Sequence, residues 1–264
     1  MLKLIDIQKT FNAGTVNAKP ALRGVNLTIN DGDFITVIGG NGAGKSTMLN
    51  MIAGTYACDG GRIELDGRNI TDLNEVQRAR YMGRVFQDPM MGTAASMSIL
   101  ENLGMARRRT KRRTLAWGVR KNEPEEYRQM VKDFDLGLEN RLTTKVGLLS
   151  GGQRQAITLL MATMQRPKLL LLDEHTAALD PKTAAKVLDL TEKIIREDNL
   201  TALMVTHNMR DAIRLGNRLI MMHEGRVIYD VSGEEKAKLT VEDLLKKFTE
   251  ASKGEFANDR MLLG

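Results

Sequence analysis

A lysine and a serine directly behind a glycine-rich run can hold a polyphosphate and its cation. Residues 39–47 of this chain read Gly39-Gly40-Asn41-Gly42-Ala43-Gly44-Lys45-Ser46-Thr47. The glycines let successive backbone N–H groups turn inward as a nest of donors. Lys45 then reaches the β- and γ-phosphates, and the Ser46 hydroxyl ligates magnesium. The spacing G-x-x-x-x-G-K-S is matched at every fixed position. A glycine turn that binds nothing is the bland alternative, and the flanks argue against it. Phe34-Ile35-Thr36-Val37-Ile38 reads as a buried strand, while Met48, Leu49, Met51 and Ile52 fall at helical spacing. Strand, glycine loop and helix place the positive end of a helix dipole at the anion. The chain is expected to bind a nucleoside triphosphate.

A second anion site is spelled out by Leu149-Ser150-Gly151-Gly152-Gln153, which opens a helical stretch from Arg154 to Gln165. Two phosphate sites in one chain suggest that two chains share each nucleotide. Other residues in this order carry weaker signals: Gln87 after a short strand, Asp173-Glu174 after four leucines, Ala178-Leu179-Asp180, and His207 at a strand end. Each has a bland reading as a turn, a charged strand end or a satisfied histidine.

Taken together, these motifs resemble the ATP-binding subunits of ABC transporters, and the resemblance covers essentially the whole chain. It implies ATP and Mg2+ as ligands. Asp173 matches the acid that holds magnesium through water, with Ser46 and Gln87 as the other metal-side groups. Glu174 matches the general base, a role suited to a carboxylate beside the γ-phosphate in a closed site. Gln87 matches the loop that senses the γ-phosphate and links the sheet to a helical subdomain. Asp180 matches the loop facing the opposite subunit, and His207 the histidine that hydrogen-bonds the γ-phosphate. Phe11 stands where an aromatic stacks on adenine. Gly39, Asn41, Gly42, Ala43, Gly44, Lys45, Ser46 and Thr47 would line the nucleotide in one copy. Ser150, Gly151, Gly152 and Gln153 would close it from a second copy. Two departures stand out: His175 replaces a proline that often follows the glutamate, and residues 156–163 lack the usual alanine- and arginine-rich segment. Neither removes a catalytic group.

The elements that must position these residues can be read in order. Leu2 to Phe11 alternates as a strand, a loop holds Gly14, Asn17 and Pro20, and a second strand is expected around Val25–Ile29. Asn30-Asp31-Gly32 signals a hairpin turn into the phosphate-loop strand. Arg62–Gly67 reads as strand and turn, and Val85–Pro89 as a short strand stopped by proline. From 90 to 166 the pattern is helical, with Ile99, Leu100, Leu103 and Met105 forming one stripe and Tyr127, Met130, Val131 and Phe134 another. Strands return at Leu169–Leu172, Thr201–His207 and Leu219–Met222, alternating with helices from Pro181 and Met209. That alternation implies a largely parallel sheet covered on both faces. Val241 to Ser252 reads as an amphipathic helix with Leu244, Leu245 and Phe248 on one side. The expected fold is α/β, a P-loop ABC ATPase. It would have a RecA-like mixed or parallel sheet core, an N-terminal antiparallel β region and an inserted α-helical subdomain. The expected division is 1–89 with 167–264 for the nucleotide-binding core, and 90–166 for the helical subdomain.

Composition narrows the setting. The 264 residues are 42% hydrophobic and 27% charged, ordinary for a soluble globular protein. The formal charge of +6 does not by itself select a partner. One cysteine, Cys58, excludes an intrachain disulfide and fits a reducing compartment. The longest uncharged run, Ser46 to Cys58, is shorter than the about 20 apolar residues a bilayer needs. The N-terminus lacks the apolar core of a signal peptide. The chain is expected at the cytoplasmic face of the inner membrane, as a peripheral protein. Its expected partners are a second copy of itself, permease subunits and, indirectly, a substrate-binding protein, with no nucleic acid. The run Arg107–Arg113 reads as a solvated helix end, with anionic headgroups or an acidic partner as the other reading. Resemblance favours an importer of a small solute such as an amino acid. A soluble ATPase of iron–sulfur cluster assembly and the ATPase of a lipid or lipoprotein exporter stay open. Translation factors with two cassettes and repair ATPases with a coiled-coil insertion do not fit one cassette without sustained heptads.

Overall fold

The computed structural model describes residues 1–109, 118–120, 122–134 and 137–251. In chain order the elements are β1 (Leu2–Phe11), β2 (Lys19–Ile29), β3 (Phe34–Gly39), α1 (Lys45–Ala53), β4 (Gly60–Leu65), β5 (Arg68–Asn69), α2 (Glu75–Arg78) and β6 (Met82–Val85). Then follow α3 (Ile99–Arg107), α4 (Glu123–Lys132), α5 (Gly151–Thr163), β7 (Leu169–Asp173), α6 (Pro181–Glu197), β8 (Ala202–Val205), α7 (Met209–Arg214), β9 (Arg218–His223), β10 (Arg226–Ser232), α8 (Gly233–Ala237) and α9 (Val241–Ala251). The described residues form two compact units, 1–78 with 201–251, and 79–200.

The first unit holds an antiparallel sheet in the order β2-β1-β4-β5. It also holds the strands β10-β9-β3-β8, in which β3 runs parallel to both β8 and β9 and β10 returns antiparallel. Every residue of β3 is buried, which is what its unbroken apolar run requires. Two expectations are corrected here, and one strand is added. β2 begins at Lys19 rather than near Val25, because an edge strand tolerates Pro20, which pairs with Thr10. Asn30–Asp33 does form a turn, with the Asp33 amide donating to Asn30 O at 3.1 Å and the Asn30 amide to the Asp33 carboxylate at 2.8 Å. It is not a hairpin, since β2 and β3 belong to different sheets. Finally, the strand β10 was not anticipated; it forms a hairpin with β9 through the Glu224-Gly225 turn, both residues at positive φ.

In the second unit β6 and β7 pair in parallel, Met82–Val85 against Leu169–Leu172. The strand expected at 85–89 therefore ends at Val85 and lies further toward the N-terminus. Ile99, Leu103, Tyr127, Val131, Leu138, Leu142, Val146, Leu149, Ile157 and Leu160 make a buried cluster joining α3, α4 and α5. Met105, expected on the apolar stripe of α3, is instead 45% exposed, and Asn102 takes the buried position. The Asn102 side chain satisfies itself by accepting from the Ala94 amide and donating to the Ala94 and Ser98 carbonyls. Among the described residues, 90–166 carry helices and a single isolated bridge, Ser98 with Lys145. Of the basic run, Arg107 pairs with Glu126 and Arg108 with Glu123 at 3.0 Å on α4. Residues 110–113 lie outside the described residues. No helix among them is long and apolar enough to cross a membrane.

Candidate functional site

The phosphate loop runs from the end of β3 into α1. Gly44 caps α1 with φ 98°, and a Cβ there would come within 2.6 Å of Ala21 O on β2. Any side chain at this position meets strain and a wall at once. Lys45 is 5% exposed, and its ammonium donates to Gly39 O at 2.7 Å and Gly40 O at 3.1 Å. It is thus held inside the curve of the loop, poised over the groups that would meet phosphate oxygens. The Ala43 amide donates to Gly40 O at 3.1 Å, and Ala43 O accepts from Gly225 at 3.0 Å, which fixes the loop's far side. Ser46, Asn41 and Gly42 are exposed and Thr47 is half-buried.

His207 belongs to the same unit. β8 and β3 pair Val205 with Val37, and His207 and Gly39 each lie two residues further on. The turn between β8 and α7 is pinned by the Thr206 amide donating to Val37 O at 3.1 Å. Beyond it, Asn208 caps α7 through the Arg210 and Asp211 amides. Phe11, at the end of β1, is half-buried, edge-on to Tyr56 at 5.3 Å and 82°, with the Lys9 ammonium 5.9 Å from its ring.

The second unit gathers the remaining residues. The β6–β7 register pairs Val85 with Leu172, so Gln87 and Glu174 each stand two residues past that pair, at the C-terminal ends of parallel strands. Ligands of parallel α/β sheets bind at such ends. Arg84 lies 3.9 Å from the Asp173 carboxylate and stacks over Phe86 at 4.5 Å. Glu174 takes φ 47°, a left-handed conformation costing a non-glycine residue about 1–2 kcal/mol. Its carbonyl accepts from the Ala177 amide at 3.0 Å, closing the turn that delivers the chain to α6. Such strain is stored where the surroundings over-determine it.

Asp180 is the N-cap of α6, ahead of Pro181, with its carboxylate accepting from the Thr183 amide at 3.1 Å. The Thr183 hydroxyl and amide hold the carboxyl below its usual range. Ser150 caps α5 in a reciprocal box with Gln153. Gly151 is exposed, whereas Gly152 is buried against α6, where a Cβ would sit 2.1 Å from Thr183 Cγ2. Ser150 and Gly151 thus face outward, and Gly152 serves packing within the chain.

Two supporting residues, Arg154 and Gln155, carry no signal in the sequence, and a third, His175, stands out there only as a departure from the usual proline. Arg154 donates to the carbonyls of Val146, Gly147 and Leu149, gripping the loop just before Ser150. Gln155, fully buried, donates to Phe86 O at 3.2 Å and so ties α5 to the segment carrying Gln87. His175 is buried, with Nε2 3.1 Å from Thr191 Oγ1. Since that hydroxyl donates to Val187 O, it accepts from the ring, which is the Nε2–H tautomer; burial pushes the imidazole down to about 4. A buried polar residue next to a strand of four leucines leaves no periodicity signal.

A family model described as ABC transporter matches residues 22–177, more than half of the chain. The chain belongs to the ABC transporter family. It is 45% identical over 94% of its length, and 98% of the relative's, to a tyrosine transport ATP-binding protein of Clostridioides difficile. It is 33% identical to a phosphonates import ATP-binding protein of Alcaligenes faecalis, covering 87% of this chain and 82% of that one. Among solved structures, the dimeric post-hydrolysis state of an ATP-binding cassette bound to ADP and Pi superposes with a TM-score of 0.73 and 30% identity, over 88% of this chain and 98% of that one. This ABC cassette is an ATPase with the mixed α/β fold of its relatives, an antiparallel N-terminal sheet beside a parallel and mixed core.

Proposed function

We propose that this ABC ATPase energises import of a small solute, with an amino acid as the solute class. The 45% identity to a tyrosine transport ATP-binding protein, end to end, carries the reading and makes tyrosine the first candidate. Two copies would close around two ATP molecules on the inner face of the membrane, docked to a permease that a substrate-binding protein feeds. The dimeric relative supports the assembly.

The residue roles follow from the chemistry each group offers. Lys45, already turned into the phosphate loop, would exchange two carbonyl partners for phosphate oxygens. Loop amides from Gly39 to Thr47 would hold the β-phosphate at the positive end of α1. His207 would hydrogen-bond the γ-phosphate, and Phe11 would stack on the base. Glu174 would take the proton of the attacking water, its carboxylate presented by a strained turn. Ser150, Gly151, Gly152 and Gln153 would meet the γ-phosphate bound by the other copy, and Asp180 would face that copy. Magnesium would be held by the Ser46 hydroxyl and the Gln87 amide oxygen, with the Asp173 carboxylate acting through water; all three offer the hard oxygen chemistry this cation takes. It supplies neutralisation of charge developing on the phosphate oxygens.

Purification of tagged Glu174→Gln protein from solubilised membranes with ATP, paired with uptake of labelled amino acids in the same cells, tests the reading. A stoichiometric multi-span permease and uptake lowered at least about ten-fold for one amino acid are expected. Recovery of soluble partners alone would move the assignment to a cluster-assembly ATPase. Undiminished ATP turnover in the variant would overturn Glu174 as base.

A further inference from the structure

The helix α9 lies far from the phosphate loop in sequence, yet it reaches that loop. Leu244 and Phe248, one turn apart, are buried in a cluster with Ile38 of β3 and Met221 of β9. Leu244 packs within that cluster, and Phe248 also approaches Gly40. Its Cζ lies 3.2 Å from where a Cβ on Gly40 would stand, and its ring meets His223 edge-on at 5.8 Å and 72°. Gly40 is the residue whose carbonyl accepts both the Lys45 ammonium and the Ala43 amide. The loop is therefore held from within by Lys45, and the ring of Phe248 closes the side of Gly40 that a Cβ would occupy. At its neighbour Gly39 the wall is backbone, since a Cβ there would lie 2.2 Å from Met222 O on β9.

We propose that Phe248 is a positioning residue for ATP binding, its ring backing Gly40 so that the phosphate loop is preformed. The proposal rests on residues 39–47 being the phosphate site. A nest of amides binds anions well only if its geometry exists beforehand; otherwise the ligand must meet the cost of ordering the loop. Without the ring, Gly40 has room to move, and glycine-rich backbone takes it. Once ATP is bound its own contacts order the loop, so the chemical step is unaffected. The effect falls on affinity.

The test uses the full chain, with ATP dissociation constants and steady-state ATPase measured for Phe248→Ala, Phe248→Leu and Lys45→Ala. Phe248→Ala should raise the Kd and KM for ATP about five- to ten-fold, with kcat at saturating ATP within about two-fold. Phe248→Leu should recover most of the loss. An unchanged Kd in Phe248→Ala, or a fall in kcat with KM unmoved, as a partly unfolded sample gives, would overturn the proposal. An unchanged Kd in Lys45→Ala would instead overturn the phosphate-site reading beneath it. If Phe248→Ala does not fold, Gly40→Ala and Gly40→Ala with Phe248→Leu decide. The added methyl presses on the ring, so the double variant should bind ATP more tightly than Gly40→Ala alone, and no recovery overturns the contact.

Discussion

Arg78 is the buried charge on which the far end of α1 depends, and replacing it by methionine gives a quantitative test. The side chain is 1% exposed. Its Nε donates to Leu73 O at 2.7 Å, Nη1 to Met51 O at 2.7 Å and Ile52 O at 2.9 Å, and Nη2 to Thr71 O at 2.7 Å. Two of those carbonyls lie in the last turn of α1, where a cation also meets the negative end of the helix dipole. Burial pulls the guanidinium pKa down, so the charge is held at a cost. Arg78→Met keeps an aliphatic stem and removes all four bonds. All four carbonyls lose the guanidinium; Met51 O retains the Gly54 amide, which leaves three to carry the loss. At about 1–1.5 kcal/mol each these amount to about 4 kcal/mol, and releasing the desolvated charge returns about 1 kcal/mol. The net loss expected is about 3 kcal/mol, or a urea midpoint lower by about 1 M for a chain of this size. Arg78→Lys, with charge but no fork, should fall between. The measurement is urea unfolding of the nucleotide-free chain at neutral pH. A Met variant within about 0.5 kcal/mol of wild type would show that water satisfies these carbonyls and that the guanidinium is dispensable.

Four further outcomes follow from packing and charge. His175 has a folded-state pKa of about 4, below its ordinary 6.5, so the folded chain binds fewer protons between those values. Its contribution is complete above about pH 6.5 and is lost as pH falls toward 4, by about 2 kcal/mol at pH 5. In urea unfolding His175→Gln should lack that component, and equal pH slopes would refute it. Gly152→Ala should destabilise by about 2 kcal/mol through the clash with Thr183, and Thr183→Ser, which removes Cγ2, should restore the urea midpoint. Gly151→Ala, whose Cβ meets only the tip of Leu179 at 3.1 Å, should cost little by the same assay. Lys45→Ala should weaken ATP binding at least about ten-fold by calorimetry while leaving the fold intact.

Much about this chain was legible in its residue order, because local chemistry has local signatures. Gly44 before Lys45 demands a left-handed cap, and an apolar β-branched run before it demands a buried strand; β3, the loop and α1 appear where those signals stand. The Ser150 cap with Gln153, the start of α6 at Pro181 behind Asp180, and the face of α9 bearing Leu244 and Phe248 are of the same kind. What tertiary structure alone decided concerns partners distant in sequence. Whether Asn30–Asp33 joins two strands of one sheet or passes between sheets depends on pairing, and no turn residue encodes it. Pro20 looks like loop until β2 proves to be an edge, where a missing amide costs nothing. The buried polar groups of Arg78, Asn102, Gln155 and His175 break the apolar patterns that sequence reading relies on. Each is tolerated because folding brings it a carbonyl or hydroxyl from elsewhere in the chain. The ring of Phe248 beside Gly40 belongs to the same class: periodicity places it on the buried face of a helix, and only the packed structure says that this face reaches the phosphate loop.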